Sequence, residues 1–166
     1  MKLIAAYHKG REIAMISHLD VQRTLQRAFR RAGLPLLYSR GFNPHPQLSF
    51  ATAAATGMSS CCEWFEVQLS EEIDPEAFMQ RANAAMPRGM SVSGAFAAPE
   101  QFGSLSAKLR AAEYRVNFQF EEPVLKEKLA ETLEAMLAGE IIINKRTKGG
   151  IKPVDIRPYI LRVSVG

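Results

Sequence analysis

The order of strand-like and helix-like segments in residues 1–98 is the sequence feature that most constrains the fold. A strand is indicated by alternating apolar and polar residues, and a helix by apolar residues three or four positions apart. Read in this way, the segment gives the order strand, helix, strand, strand, helix, strand. The expected elements are a strand over Lys2–His8, a helix over 17–32, strands over 48–52 and 62–69, a helix over 74–85 and a strand over 90–97.

Local signals place the ends of these elements. Ser17 is a good helix N-cap, and Asp20 three residues later completes a start that resembles a capping box. Gly33 and Pro35 end that helix, and Lys9-Gly10 is expected to form a turn after the first strand. The order of elements is that of a split βαβ unit. The sequence therefore predicts an α+β chain whose residues 1–98 form a ferredoxin-like domain.

The order of elements restarts after a predicted linker at residues 99–110. The expected elements are a strand over Glu113–Phe120, a helix over 123–137, a strand over 140–146, a turn over 147–150 and a strand over 159–165. This β-α-β-β order predicts a second, partial ferredoxin-like domain at residues 111–166. It lacks the closing helix and strand, as expected of a chain truncated at its C-terminus or of an incomplete repeat.

Composition excludes several classes of protein. No apolar run approaches the ~20 residues of a membrane helix, and the N-terminus does not have the pattern of a secretory signal. The only two cysteines, Cys61 and Cys62, are adjacent and form neither a disulfide framework nor a zinc site. These features predict a cytoplasmic protein with no membrane partner.

The net charge of +4 conceals a strong asymmetry along the chain. Residues 1–50 carry eight basic side chains against two acidic ones, and residues 101–166 carry eleven against eight. The segment between them carries two basic and seven acidic side chains. Two basic regions thus flank an acidic one, a distribution that favours an anionic partner.

Three segments are candidates for contact with nucleic acid. The first is the polar face of the first helix, where few acids accompany the arginines; the alternative is an ordinary solvated face or one that meets a protein's acidic patch.

The second is the loop SRGFNPHPQ at 39–47, which two X-Pro steps stiffen; the alternative is a structural loop with Phe42 in the core. The third is the glycine-rich basic turn within NKRTKGGIKPVDIR at 144–157; the alternative is a hairpin whose lysines only provide solubility. The candidate residues are Arg23, Arg27, Arg30, Arg31, Arg40, Phe42, Asn43, His45, Lys145, Arg146, Lys148 and Lys152.

Catalytic motifs are absent from the sequence. The three histidines have no metal-binding spacing, TKGG lacks the spacing of a phosphate-binding P-loop, and no dinucleotide fingerprint is present. Glu63 and Glu66 lie three residues apart on a strand and are therefore expected on opposite faces. We predict no catalytic residues, no metal site and no cofactor, so a non-catalytic module is favoured over an enzyme.

Resemblance to a known protein family implies a protein partner for this chain. The runs ISHLD at 16–20, QRTLQRAFRRAGLPLLYSRGFNPHPQLSFATAAATGMSS at 22–60 and EWFEVQL at 63–69 strongly resemble the uncharacterised bacterial radical-SAM-linked protein family, and VDIRPYI at 154–160 looks like its later VDIRP segment. Members occur alone or C-terminal to a radical-SAM, cobalamin-binding-type protein. The chain has no CxxxCxxC motif for an iron–sulfur cluster. The resemblance therefore implies that a separate or appended radical-SAM protein performs the chemistry, and it implies no settled activity for the chain itself.

Three hypotheses of function follow. The leading one is an accessory module that binds tRNA or rRNA for a radical-SAM modification enzyme. The second is a module that docks onto a radical-SAM protein without RNA contact. The third is a metal-independent endoribonuclease of the CRISPR repeat-processing type, with His45 or His18 as the general acid or base; it rests only on analogy of element order and charge.

Overall fold

Four antiparallel strands form the larger sheet of this mixed α+β chain, for which a computed structural model describes residues 1–166. The strands are β1 (Lys2–Lys9), β2 (Leu48–Phe50), β3 (Ser60–Gln68) and β4 (Met90–Ala97), in the spatial order β2-β3-β1-β4. Helices α1 (His18–Arg31) and α2 (Pro75–Ala85) complete the predicted order of six elements. None of the helices has the length and hydrophobicity needed to cross a bilayer.

The first unit of the chain, Met1–Glu113, contains this sheet and both helices. Its core lies between one face of the sheet and the apolar faces of the helices. Strand residues Leu3, Phe65 and Val67 meet Leu25 and Phe29 of α1 there, all essentially inaccessible to solvent. Burial of side chains of this size is the main source of stability in a domain of this kind.

The ends of α1 follow the local signals. The Ser17 hydroxyl accepts a hydrogen bond from the amide of Asp20, which caps the first turn. At the other end the amides of Gly33 and Leu34 donate to the carbonyls of Arg30 and Phe29, the pattern of a Schellman motif. Gly33 has a φ of +62°, which glycine adopts without steric cost.

Long-range hydrogen bonds join α2 to the rest of the first unit. The side-chain amide of Asn83 donates to the Val92 carbonyl and accepts from the Val92 amide, which joins α2 to β4. Arg31 donates to the carbonyl of Ala85 at the end of α2, while Arg81 of α2 donates to the carbonyl of Ala32 at the end of α1. Each helix thus supplies a guanidinium to a carbonyl that the other helix leaves unpaired at its C-terminus.

The predicted turn at Lys9-Gly10 is wrong, because Lys9 is the last residue of β1 and is completely buried. Its side chain follows the alternation of Leu3, Ala5 and Tyr7 and therefore enters the same face of the sheet. Three backbone carbonyls accept hydrogen bonds from its ammonium group there, and these bonds stabilise the charge away from solvent.

Residues beyond β4 pack against the first unit. Phe102 makes an edge contact with Phe96, and Leu105 of the short helix α3 (Leu105–Lys108) is buried. Lys2 also donates to the Gly103 carbonyl at 3.0 Å. The expected linker segment thus lies within the first unit by packing. That residues 1–98 form a domain by themselves stays a prediction.

The second unit, Tyr114–Gly166, contains α4 (Lys126–Leu137) and a two-stranded sheet of β5 (Ile142–Thr147) and β6 (Gly150–Asp155). The predicted strands at 113–120 and 159–165 are wrong, since neither segment has a partner in a ladder. Alternation of apolar and polar residues decides which side chains face the core, but only a neighbouring strand can supply hydrogen bonds to the backbone amides and carbonyls. The returning strand is instead β6, although it contains Pro153. A two-stranded ribbon has a free edge on each strand, and proline is tolerated at such an edge.

Candidate functional site

The arginines of α1 lie on its solvent side. Arg23, Arg27 and Arg30 are exposed and opposite the buried residues of the helix. Arg23 is paired with Asp20, whose carboxylate lies 3.2 Å from the guanidinium. The Ser17 hydroxyl, and then Arg23, lower the pKa of Asp20. Arg27 and Arg30 form no ion pair, so two cationic groups on this face remain available.

Arg31 has a different environment from its three neighbours, although it is also a candidate residue. Its guanidinium lies 2.6 Å from the carbonyl oxygen of Ala85, so this side chain joins α1 to α2. Sequence periodicity could not show this contact, because the acceptor lies 54 residues further along the chain.

The loop at 39–47 closes on itself. The amide of Ser39 donates to the carbonyl of His45 at 2.9 Å, and the Ser39 hydroxyl accepts from the His45 amide at 3.2 Å. The same hydroxyl lies 3.0 Å from Nδ1 of His45, and this nitrogen also lies 3.4 Å from the carbonyl oxygen of Asn43. Nε2 of the ring makes no hydrogen bond within the protein. Gly41, with a φ of +147°, allows the chain to reverse at the tip.

Phe42 at the tip of this loop is fully exposed, at 112% of its reference accessibility. The alternative that Phe42 lies in the core is therefore wrong. Arg40 and Asn43 beside it are also exposed. An apolar ring that the fold leaves entirely in water, flanked by polar side chains, is available to stack on a ligand.

The loop and α1 meet at a pocket. Gln22 of α1 and His45 of the loop line the same cavity of about 240 Å³, together with residues of β2 and β3. Gln22 belongs to the helix that carries the arginines, so the pocket lies between that helix and the loop. The structure thus brings two of the three predicted segments to one region of the first unit.

The third predicted segment lies in the second unit. Lys145 of β5 and Lys152 of β6 are directly opposite each other in the antiparallel register, and Lys148 lies in the turn between them. Arg146 faces Ile151, on the other side of the hairpin. All four basic side chains are exposed. Like charges in opposed positions destabilise a sheet, and a bound anion would relieve that repulsion.

The VDIRP segment has a structural part in the second unit. The Asp155 carboxylate accepts hydrogen bonds from the amides of Ile141 and Arg157, both at 2.9 Å. The Arg157 side chain donates to the carbonyls of Leu137, at the end of α4, and of Ile160. This set of contacts joins the end of α4 to the hairpin.

A buried polar cluster beneath α1 is the feature that sequence reasoning missed. The Lys9 ammonium donates to the carbonyls of Ala14, Ile16 and Ala55 at 3.0, 3.2 and 3.2 Å. Burial lowers the pKa of Lys9, and the Glu63 carboxylate opposes that shift. The period-two pattern of β1 was the available signal, since it places Lys9 on the inward face.

Tyr7 and Glu63 face each other across β1 and β3 in this cluster. The Tyr7 hydroxyl is buried without a hydrogen-bond partner, and burial raises the pKa of this phenol. Glu63 accepts from the Thr52 hydroxyl at 3.2 Å, and the His18 ring packs edge-on against Phe50 with 4.7 Å between centroids. The contacts of Lys9 and Glu63 hold two segments against the end of the sheet, the one before α1 and the loop after β2.

The two acidic residues of β3 face opposite sides of the sheet, as predicted. Glu63 lies with the buried cluster, whereas Glu66 accepts from Ser49 and pairs with Lys2 on the other face. Cys61 and Cys62 are both exposed, and partial desolvation together with the Glu63 carboxylate raises the pKa of the Cys62 thiol. No group of three or more His, Cys, Asp or Glu side chains is placed to hold a metal ion.

Comparison with known proteins gives one family. The model of the family described as "Uncharacterized protein conserved in bacteria (DUF2344)" matches residues 2–166. The chain belongs to this family. No curated protein is significantly similar to it. Membership places the chain in a conserved bacterial family whose function is unsettled.

Proposed function

We propose that this DUF2344 chain is a non-catalytic module that binds RNA through the arginine face of α1 and the loop at 39–47. One observation carries the proposal: Arg27 and Arg30 have no acidic partner, and a pocket connects their helix to a loop with a fully exposed Phe42. Proteins that bind single-stranded or looped RNA contact its phosphates with cationic side chains and stack its bases on aromatic rings. Both kinds of group are exposed here.

The electrostatic contribution comes from α1. A guanidinium offers a planar set of donors that matches the oxygens of a phosphate. Arg27 and Arg30 lie three residues apart and are neighbours on one helix surface. Arg40, the next basic residue after Arg31, lies in the exposed loop. These side chains supply a cationic surface on which neighbouring phosphates of one strand can bind.

The loop contributes contacts to bases. The Phe42 ring has no neighbour to lose on binding, so stacking a base on it buries apolar surface on both partners. Asn43 and Nε2 of His45 offer hydrogen-bonding groups nearby. The two prolines and the internal hydrogen bonds of Ser39 fix the loop in advance, which reduces the entropy lost on binding.

In the second unit, the hairpin residues Lys145, Arg146, Lys148 and Lys152 form a further phosphate-binding surface in this proposal. The opposed pair Lys145 and Lys152 supports it, because no acid accompanies the pair within the hairpin strands before Asp155. Glycines at 149 and 150 place no side chain between a phosphate and the backbone of the turn.

We also infer a ferredoxin-like architecture for the first unit, since its β-α-β-β-α-β order and the antiparallel strand order β2-β3-β1-β4 agree with a split βαβ unit. The resemblance to radical-SAM-linked proteins supports a cytoplasmic role in which the chain presents bound RNA to a radical-SAM modification enzyme. The second unit stays outside this inference, because only two of its strands pair.

A salt titration tests RNA binding. Labelled single-stranded and hairpin RNAs are titrated with the protein by fluorescence anisotropy at several salt concentrations. For contacts with single strands, log K should fall against log [salt] with a slope of roughly −0.7 for each phosphate neutralised. Arg27→Ala and Arg30→Ala should each reduce that slope by roughly one contact for every sequence tested. Arg88→Ala, which removes an exposed arginine elsewhere in the first unit, is the matched control and should leave the slope unchanged.

The other two hypotheses are outcomes of the same experiment. Absence of binding to any RNA at low salt would reject the proposal. Co-purification of a radical-SAM protein after nuclease treatment would then support docking onto that protein. RNA cleavage that His45→Ala or His18→Ala abolishes would instead favour the endoribonuclease.

A further inference from the structure

The pocket between α1 and the loop has a lining that the arginine face does not explain. It measures about 240 Å³ and lies at β2, which is one of the two edge strands of the larger sheet. Pockets for drug-sized ligands are typically about 300–1,000 Å³, so this one suits a smaller group. Six polar side chains line it: Gln22, His45, Gln47, Ser49, Glu66 and Gln68.

Strand register fixes the acidic side of the pocket. Ser49 of β2 pairs with Glu66 of β3, and the Ser49 hydroxyl donates to Oε1 of Glu66 at 2.9 Å. Lys2 Nζ lies 3.6 Å from Oε2, which is buried and has no hydrogen-bond partner. Two neighbours therefore orient the carboxylate, and Oε1, which accepts one hydrogen bond from Ser49, retains a second lone pair for a ligand.

The remaining polar groups can both donate and accept. The side-chain amides of Gln22 and Gln68 and Nε2 of His45 make no hydrogen bond within the protein. No lysine or arginine is among the lining residues. A phosphate would meet a carboxylate without a cation lining the pocket, whereas a neutral heterocycle would find donors and acceptors in close proximity.

We propose that this pocket binds a single nucleobase that carries an exocyclic amine, adenine, cytosine or guanine. The inference rests on the proposed RNA binding and adds to it the class of base that is read. The pocket lies on the two segments proposed to bind RNA, because Gln22 belongs to α1 and His45 to the loop that carries Phe42. Glu66, as an acceptor, favours an amine over the carbonyl that uracil presents at the equivalent position.

Homopolymer binding tests this assignment. Labelled oligonucleotides rA8, rC8 and rU8 are titrated at one salt concentration, with the expectation that rA8 and rC8 bind about tenfold more tightly than rU8. Glu66→Gln and Gln68→Ala should abolish that preference and leave the salt dependence unchanged. Gln80→Ala, an exposed glutamine of α2, is the matched control. Thermal unfolding of each variant shows whether the fold is retained, and Gln68→Ala keeps the test open if Glu66→Gln does not fold.

The two proposals fail in different ways. Equal affinity for rA8, rC8 and rU8, or a preference that both pocket variants keep, would overturn the nucleobase pocket and leave RNA binding in place. Absence of binding to all three oligonucleotides at low salt would overturn both proposals. A preference that disappears in both pocket variants but persists in Gln80→Ala supports the assignment.

Discussion

Replacement of Lys9 by methionine tests whether a buried ammonium holds the loops beside α1. The substitution keeps an unbranched apolar side chain and removes only the charged group and its three donors. Because those donors bond carbonyls of residues 14, 16 and 55, the variant releases the segment before α1 and the loop after β2 together. We expect the first unit to lose stability.

The carbonyls determine the magnitude. The Ala14 oxygen also accepts from the Gly57 amide at 2.9 Å, and the Ala55 oxygen from the Met58 amide at 3.4 Å. The Ile16 oxygen has no second partner and is left unsatisfied in Lys9→Met. One partly buried, unsatisfied carbonyl costs about 1–3 kcal/mol, and removal of the buried charge offsets part of the lost charge-assisted bonds. The net expectation is a loss of about 2 kcal/mol.

Urea unfolding measures this loss. The single tryptophan, Trp64 of β3, lies in the first unit, so its fluorescence reports that unit. With a slope of about 2 kcal/mol per molar urea, the midpoint should fall by about 1 M. Arg88→Met removes one exposed charge from the same unit and should leave the midpoint unchanged. An unchanged or higher midpoint for Lys9→Met would refute the argument, since the ammonium would then contribute nothing to stability.

The pH dependence of that difference gives an independent check. The pKa of Lys9 is lowered in the folded protein from its usual 10.5. Between the folded pKa and 10.5 the unfolded chain binds more protons at this site, so stability due to Lys9 rises with pH in that window. The stability difference between the wild type and Lys9→Met should therefore increase as the solution becomes alkaline. A constant difference up to pH values near 10.5 would contradict the lowered pKa.

Three further substitutions have defined outcomes. Tyr7→Phe should raise the free energy of unfolding of the first unit by about 1 kcal/mol in urea, because its buried hydroxyl has no partner; a clear loss would reveal a hydrogen bond there. Arg31→Met and Arg81→Met should each cost about 1 kcal/mol in the same assay, and exposed Arg11→Met should cost nothing. Asp155→Ala should accelerate amide exchange at Ile141 and Arg157 by NMR, whereas exchange as slow as in the Glu140→Ala control would contradict the role of the carboxylate.

The sequence by itself predicted the order of the elements in the first unit and the ends of α1. These features depend on residues close together in the chain: Ser17 caps an amide three positions away, and Gly33 ends the helix through bonds within one turn. The inward alternation of β1 and β3 likewise needs no knowledge of the partner strand. The exposed arginines of α1 follow from the same helical spacing. Local geometry therefore determined the elements and the polar face.

Only the tertiary structure decided which of these side chains are exposed and free to contact a partner. Lys9 is buried because carbonyls of the following segment and of a loop 46 residues away accept hydrogen bonds from its ammonium. Arg31 is engaged because α2 ends beside it. The alternating segment at 113–120 does not form a strand, since a ladder requires a partner that alternation cannot supply. Phe42 is apolar, like most core residues, but its ring lies in water. Hydrogen bonds between Ser39 and His45 close its loop and do not involve the ring. The environments of Lys9 and Arg31 depend on hydrogen bonds to Ala55 and Ala85, which lie far along the chain and which a one-dimensional pattern does not encode.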